Sequence, residues 1–162
     1  MKPAEIVTYG TDLLRQTSEE IAEFDEETKS LLETMYEAMV KYGGLGLAAP
    51  QIGISKRVFV YDVGEGQHAL INPKIVKRSG EEYSIEGCLS IPGLQGEVPR
   101  AYRVTVAGID ENGNKVRIKA EGLLARVFQH EIDHLDGMMF VDRADPATLE
   151  TIPVDGEADE EE

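Results

Sequence analysis

The strongest chemical signal in the sequence is the segment His130–His134, which reads HEIDH. Four residues advance about 400° around a helix of about 3.6 residues per turn, so both imidazoles project from one helical face. Paired imidazoles suit a tetrahedral metal ion, and Glu131 is offset so that it can act on water bound to that ion. The alternative is a polar helix face with two solvated histidines. That alternative is disfavoured because Val127, Phe128 and Leu135 bury the helix, and buried His and Glu need partners.

A catalytic metal site takes three protein ligands and keeps a fourth position open, so this motif needs one more ligand. The longer pattern HExxHxxGxxH fails because Phe140 occupies the last His position. A downstream carboxylate such as Glu150 lies in weakly structured sequence, and His68 has no supporting motif and is interpreted as a surface histidine. Cys88, in the segment EGCLS at 86–90, is the better candidate. It is the single cysteine, which excludes an internal disulfide, and beside this motif a thiolate ligand is favoured over a small buried apolar residue.

A third segment, GLGLAAPQ at 44–51, contains the pattern G-x-G-x-x-A that also occurs in dinucleotide-binding loops. Such a loop must follow a strand and open a helix, whereas this one follows a predicted helix and meets Pro50. Nucleotide binding is therefore rejected. A plain turn after a helix does not account for two separated glycines, small residues and Gln51. The pattern favours a ligand that lies against bare backbone.

Taken together, GLGLAAPQ at 44–51, EGCLS at 86–90 and QHEIDH at 129–134 resemble the three signature segments of the peptide deformylases. They occur in the order of that family and at comparable separations, and the resemblance covers about Ile6 to Asp142. It implies a hydrolase that removes the formyl group from the N-terminal methionine of nascent bacterial-type polypeptides. It also implies that Cys88, His130 and His134 hold one divalent metal ion, Fe²⁺ in the cell, with Zn²⁺, Ni²⁺ or Co²⁺ in preparations.

The same resemblance implies a role for each remaining site residue. Glu131 matches the general acid/base, which takes a proton from metal-bound water before that water attacks the formyl carbon. The Gln51 side chain and the Leu89 backbone N–H match the donors to the oxyanion. The residues implied to contact the peptide substrate are Leu45, Gly46 and Gly87.

Two arginines depart from the family pattern, and two other classes of function stay open. Many family members carry an arginine in the loop after the CLS segment, but here that loop has none and Arg100 comes later, so Arg100 receives no substrate role. Arg126 lies one helical turn before His130, where family members often carry an aliphatic residue, which leaves the shape of the substrate pocket open. An HExxH metallopeptidase would cleave unformylated peptides, and a non-catalytic metal-binding module would need a fourth protein ligand.

The elements that must position these residues are predicted to form one compact α+β domain of short mixed or antiparallel strands. It has an N-terminal helix and, toward the C-terminus, a central helix that carries HExxH. The first helix begins at Asp25 and ends at Gly43-Gly44, after a short helical piece near Thr11–Arg15. Its apolar stripe consists of Leu31, Leu32, Met35, Tyr36, Met39 and Val40. The other predicted elements are strands over Arg57–Val63, His68–Asn72, Val98–Ile109 and Val116–Ala120, a hairpin turn at Asp110–Asn114, the helix Leu123–Leu135, and a last strand over Met138–Val141.

Composition limits the class of partner. Lysine and arginine number 16 against 31 acids, for a net charge of −15, so the overall field disfavours DNA and anionic membranes. No apolar run is long enough to span a membrane, and the N-terminal residues lack a targeting pattern, so a cytoplasmic location is expected. The predicted partners are N-formyl-methionyl nascent polypeptides near the ribosome exit, and no oligomer is required.

The chain is predicted to divide at residue 152 into a catalytic domain, 1–152, and a tail, 153–162. Six acids and no bases lie in Asp155–Glu162, so the tail is expected to be disordered. Some bacterial deformylases end in a basic helix that docks on the ribosome. This acidic tail is a poor candidate for that contact.

Overall fold

The computed structural model describes residues 5–8 and 10–152, so the predicted tail at 153–162 lies outside the described residues. The helices within them are α1 (Glu26–Tyr42) and α2 (Leu123–Leu135), with 3-10 turns at Asp12–Arg15, Ala49–Ile52, Phe140–Asp142 and Pro146–Thr148. The strands are β1 (Gly46–Ala48), β2 (Val58–Tyr61), β3 (His68–Ser79), β4 (Glu82–Cys88), β5 (Ile91–Arg100), β6 (Arg103–Asp110), β7 (Lys115–Glu121) and β8 (Glu150–Thr151). No helix among these residues combines the length and apolarity needed to cross a membrane.

Two antiparallel sheets form the α+β domain that the sequence predicts. The larger sheet has the order β1-β2-β3-β6-β7, and the smaller has the order β4-β5-β8. Helix α2 packs on one face of the larger sheet, where Phe128 meets Phe59 and Tyr61. Helix α1 packs on β1 and β2 through a second apolar cluster that contains Met35 and Met39. The HExxH helix is thereby held at the centre of the molecule.

Helix α1 confirms the predicted boundaries. The Asp25 side chain accepts a hydrogen bond from the Thr28 N–H at 3.1 Å, and Gly43 ends the helix in the left-handed conformation with φ of 69°. Met35 and Met39 are buried as predicted, but Val40 is 65% exposed. The predicted stripe was therefore too wide on that side, because the buried face of the helix includes Ala38, which was not predicted, and not Val40.

Four predicted segments differ from the structure, one of them only in length, because the strand predicted over His68–Asn72 continues to Ser79 as β3. Val98–Ile109 is not one strand: β5 ends at Arg100 and β6 begins at Arg103. The Gln129 side chain of α2 causes the break, since its Oε1 accepts from the Ala101 N–H at 3.0 Å and its Nε2 donates to the Ala101 carbonyl at 2.8 Å. These bonds replace sheet pairing with a contact to the helix that carries the candidate ligands.

The other two differences lie near the C-terminal end. The predicted strand Met138–Val141 is wrong, because Phe140–Asp142 forms a 3-10 turn in which Asp142 Oδ2 accepts from the Met139 N–H at 2.8 Å. Glu150 is not weakly structured, because Glu150–Thr151 pairs with β5 as β8. The predicted hairpin at Asp110–Asn114 is confirmed, with Asp110 Oδ1 accepting from the backbone N–H groups of Asn112 and Asn114.

Candidate active site

Three side chains that can bind metal meet where the end of β4 faces α2. His130 and His134 project from one face of α2, with ring centroids 5.2 Å apart, and Cys88 ends β4. Cys88 Sγ lies 3.3 Å from His134 Nε2. The ligand atoms of the three residues all lie within 4.8 Å of one another, and together they could hold a metal ion. The helical spacing of four residues thus produces the geometry expected of it.

The donor set fits a divalent transition metal. In a tetrahedral site with bonds of about 2.0–2.3 Å, ligand atoms lie about 3.3–3.8 Å apart, which is close to the spacing of this cluster. Imidazole and thiolate together suit iron, cobalt, nickel and zinc better than magnesium or calcium. Burial of His134 lowers its pKa well below the ordinary value, which keeps that imidazole neutral and able to bind a metal.

Glu131 is a buried carboxylate beside this cluster. Its side chain is 5% exposed, and Oε1 has no hydrogen-bond partner among the described residues. Burial raises the pKa of Glu131 to about 7, although the nearby His130 acts in the opposite direction. A carboxyl group with this pKa exchanges its proton near neutral pH.

Gly46 packs directly against this carboxylate. A Cβ placed on Gly46 would lie 2.8 Å from Glu131 Oε2 and 3.1 Å from Val127 Cγ1. Any side chain at this position would displace the Glu131 carboxylate, so the second glycine of the GLGLAAPQ segment is a steric requirement. Sequence reasoning connected this glycine with a ligand and missed its contact with Glu131.

Gln51 lies in the 3-10 turn that follows β1, and both ends of its carboxamide are held. Its Oε1 accepts from the Ala48 N–H at 3.0 Å. Its Nε2 donates to Ser90 Oγ at 3.3 Å and lies 3.6 Å from Cys88 Sγ. These contacts fix the amide N–H₂ group on the side of the metal-binding cluster.

A cleft of about 440 Å³ opens above these residues. Eight of the nine residues predicted from the sequence line it: Leu45, Gly46, Gln51, Gly87, Cys88, Leu89, His130 and Glu131. The ninth, His134, is fully buried beneath the cleft. The exposed apolar side chains of Leu45, Ile85 and Leu123 stand around the rim.

Glu86 is the functional residue that sequence reasoning missed. Its Oε1 contacts His130 Nδ1 at 2.9 Å, and its two oxygens accept from Arg100 at 2.7 and 2.9 Å and from Arg126 Nη1. Burial alone would raise the pKa of Glu86, but the hydrogen bonds from Arg100 and His130 hold it well below the ordinary value. An ionised carboxylate only accepts, so Nδ1 of His130 carries the proton, and in the neutral ring Nε2 is left to bind a metal.

The Glu86 network extends to the far side of α2. Buried Arg100 also donates to Asp133 Oδ2 at 2.8 Å, and Arg143 donates to both oxygens of the same carboxylate. Arg126 donates to the backbone carbonyls of Glu82 and Val98, so its guanidinium is bound between β4 and β5. Buried charges need partners, so the charged residues within the EGCLS and QHEIDH segments already indicated in the sequence that such a network would form. The network joins β4 and β5 of the smaller sheet to the helix that carries the two histidines.

A helix that presents two histidines and a buried glutamate beside a cysteine, at the base of a cleft, is the arrangement of a metal-dependent hydrolase. Comparisons with known proteins agree. A model of the polypeptide deformylase family matches residues 3–150. The chain therefore belongs to the polypeptide deformylase family and is an enzyme.

Individual relatives are similar over most of their length. The chain is 56% identical to a peptide deformylase of Carboxydothermus hydrogenoformans over 140 residues, which cover 86% of this chain and 92% of that one. A crystal structure of peptide deformylase from Thermotoga maritima matches with a TM-score of 0.87 and 44% identity, covering 90% and 100% of the two chains. A peptide deformylase from Synechococcus elongatus in complex with actinonin matches with a TM-score of 0.86 and 43% identity, covering 89% and 80%.

Proposed function

We propose that this enzyme hydrolyses the formyl group from the N-terminal formyl-methionine of newly made polypeptides, in the cytoplasm where that substrate arises. Membership of the deformylase family supports the reaction class. The observation that carries the proposal is the Glu131 carboxylate, which is buried beside Cys88, His130 and His134 with one oxygen that has no partner among the described residues. Such a group has little structural value, and its position suits proton transfer.

Cys88, His130 and His134 would hold one divalent metal ion, with Fe²⁺ as the native ion. That ion would supply Lewis-acid chemistry, which acidifies a water molecule and polarises the formyl carbonyl. The three ligands arise from two elements that Glu86 connects, because Glu86 binds His130 and lies two residues before Cys88. The bond from Glu86 would hold the His130 ring in the orientation that binds a metal.

Glu131 moves the proton in this proposal. Its carboxylate removes a proton from the attacking water, whose oxygen bonds to the formyl carbon. As the carbon–nitrogen bond breaks, the same carboxyl delivers that proton to the leaving amine nitrogen. The products are formate and a polypeptide with a free N-terminal methionine. A pKa of about 7 suits both steps, because the group can accept and release a proton at neutral pH.

Two donors would stabilise the negative charge that develops on the formyl oxygen. One is Gln51 Nε2, whose direction is fixed by the bonds of its carboxamide to Ala48 and Ser90. The other is the backbone N–H of Leu89, next to the cysteine. Donors that are already oriented act without reorganisation when charge develops in the transition state.

The cleft has features that suit a peptide that begins with formyl-methionine. Gly46 and Gly87 bring bare backbone to the lining, and Leu45 stands at the rim, so these three residues would contact the substrate main chain. Val127 and Leu123 of α2 add apolar surface for the methionine side chain. Because a formyl carbon carries only hydrogen, a narrow site beside Glu131 would admit formyl and exclude acetyl groups.

The proposal is tested with three peptides of one sequence, carrying formyl-methionine, acetyl-methionine or unmodified methionine. The anaerobically purified enzyme is analysed for metal and assayed for formate and for new amines. We expect formate from the first peptide only, and iron in the active sample. Cleavage of internal bonds in the unmodified peptide would make the chain a metallopeptidase. Bound metal without any hydrolysis would make it a non-catalytic metal-binding module.

A further inference from the structure

One face of the larger sheet is basic although the chain carries a net charge of −15. The registers of β3, β6 and β7 place Lys77, Thr105 and Lys119 in one row across the strands, and Lys74, Ala107 and Arg117 in the next. We call this surface, completed by Arg103 at its end, the basic face. All five of its cationic side chains are exposed.

The basic face is the side of the sheet away from α2. Val104, Val106 and Ala120, which alternate with the residues of the basic face, point into the core beneath α2. On the outer side, α1 covers β1 and β2, and the apolar cluster under α1 reaches only as far as Ile109 on β6. The part of the sheet beyond Ile109 therefore has no covering layer among the described residues.

A groove of about 510 Å³ runs along this face. Its floor is β6, which lies between β3 and β7 and carries the short side chain of Thr105. Its walls include Lys77 on β3 and Lys119 on β7. The walls are two strands apart, or about 10 Å at the usual spacing of about 4.8 Å. The single carboxylate among the described residues that line the groove is Glu121, which pairs with Arg103 at 3.3 Å.

The remaining cations have no such neutralisation. Lys74, Lys77, Arg117 and Lys119 form no ion pair with any residue in the described ranges 5–8 and 10–152. Charges are screened over about 8 Å at physiological salt, so acids elsewhere on the molecule do not cancel the field at this face. Like charges in adjacent rows repel one another, and a polyanion in the groove would relieve that repulsion.

The chemistry of the lining selects among polyanions. None of the described residues lining the groove is aromatic, and its apolar residues, Val104 and Ala120, are buried. Single-stranded nucleic acid is held by stacking on aromatic rings, and a membrane surface by apolar side chains that insert, so both are disfavoured. The exposed hydroxyl group of Ser79 lies among the cations and can exchange hydrogen bonds with a ribose 2′-hydroxyl.

We propose that the basic face binds the phosphodiester backbone of double-stranded RNA without reading its sequence. The cations on β3 and β7 would contact phosphates on either side of the groove, while the Ser79 hydroxyl group contacts the ribose. The face is built on strands of the larger sheet other than those that line the catalytic cleft, and no residue of the proposed reaction belongs to it. RNA binding and hydrolysis can therefore be tested separately.

The test measures fluorescence anisotropy of a labelled RNA duplex of about 20 base pairs, at salt concentrations from about 50 to 200 mM, with the full chain. The face variant is K77E/R117E/K119E. The control is K29E/K41E/K56E, which changes the net charge by the same amount at positions outside the basic face. The neutral variant K77Q/R117Q/K119Q repeats the test with a smaller perturbation, and melting temperatures verify that each protein is folded.

We expect both face variants to bind the RNA duplex at least about tenfold more weakly, with a salt slope smaller by about 3, while the control binds more tightly than they do. Equal losses in the face variant and the control would overturn the proposal, because net charge alone would then explain binding. Equal binding of a DNA duplex of the same sequence, or binding to vesicles of phosphatidylglycerol in place of RNA, would overturn it as well.

Discussion

Glu86 and Glu131 are both buried carboxylates beside the candidate metal cluster, and their neighbours shift their pKa values in opposite directions. Glu86 is 7% exposed and Glu131 is 5% exposed. Glu86 accepts hydrogen bonds from Arg100, Arg126 and His130. Burial alone would raise its pKa, but the bonds from Arg100 and His130 hold it well below the ordinary value. Glu131 has one oxygen without a partner among the described residues, and burial raises its pKa to about 7.

The comparison shows that hydrogen-bond partners, rather than the degree of burial, distinguish a structural carboxylate from one that can move a proton. Removal from water costs both groups free energy in the charged form. At Glu86 two guanidinium groups and an imidazole offset that cost, so the group stays an anion and orients His130. At Glu131 nothing comparable offsets it. The environment of Glu86 keeps its carboxylate ionised, and Glu131 is the carboxyl group that we propose exchanges its proton.

Removal of the thiolate should have the largest effect on the cluster that both carboxylates flank. In Cys88→Ser the third ligand becomes a hydroxyl, which binds a transition metal far more weakly than a thiolate. We expect metal content well below stoichiometric and turnover that falls with it. Elemental analysis and formate release on the same sample measure both. Full metal content in the serine variant would remove Cys88 from the ligand set.

Replacement of Gln51 by Leu should have the next largest effect, because it removes a proposed transition-state donor. We expect turnover to fall by about 10²–10³, equivalent to about 2.7–4 kcal/mol of barrier. KM should change little, since a neutral carbonyl uses the donor weakly. Steady-state kinetics at matched metal content provide the measurement, and melting temperatures account for the lost bond to Ala48.

Ser90→Ala is the matched control for Gln51, since it removes only the hydroxyl that accepts from Nε2. The loss of one neutral hydrogen bond corresponds to less than about tenfold in turnover. A raised KM with unchanged turnover in Gln51→Leu would make Gln51 a residue for binding the substrate. Equal effects of the two variants would assign the Gln51 loss to packing.

Glu86→Gln keeps the shape of the side chain and removes its charge. We expect metal affinity to fall by about 10–100-fold, because His130 loses the anion that orients it. The control is Glu121→Gln, which removes a carboxylate from the exposed pair with Arg103 and should leave metal affinity unchanged. Competition with a chelator measures both affinities. If Glu86→Gln binds metal as tightly as the parent, the network has no bearing on the ligands.

Asp142 extends the comparison to a more exposed carboxylate, where the expected effect is smallest. Burial alone would raise the pKa of Asp142. Hydrogen bonds from Arg15 and the Met139 N–H outweigh that effect and hold the pKa below the ordinary value. A lowered folded pKa stabilises the fold above the unfolded pKa, and that contribution is lost as the pH falls below about 4. We expect Asp142→Asn to cost about 1 kcal/mol or less at pH 7 and less than that near pH 2. Urea titrations at the two pH values check the difference, and an equal cost at both would assign it to packing.

The sequence predicted the elements whose signals are local. The HEIDH helix follows from its apolar periodicity, and the hairpin at Asp110–Asn114 follows from turn chemistry. The break between β5 and β6 could not be predicted, since it depends on Gln129 from a distant helix. The exposure of Val40 likewise depends on where α1 meets the larger sheet.

Within the site, spacing and motif predicted which residues come together, and tertiary packing decided what surrounds them. Glu86, Arg100 and Asp133 lie on three different elements, so their network has no local pattern. The close approach of Gly46 to Glu131 has the same origin. The residue types were visible in the sequence as charges that would need partners, but the pairing required the fold.

The measurement that tests the central claim most directly is turnover of Glu131→Gln at known metal content. The amide is similar in size to the carboxylate and cannot accept or deliver the proton. If Glu131 is the proton carrier and not a ligand, the variant keeps its metal and releases formate from formyl-methionyl peptide at least about 10²-fold more slowly. Near-normal turnover in the metal-loaded variant, or loss of the metal, would contradict the account.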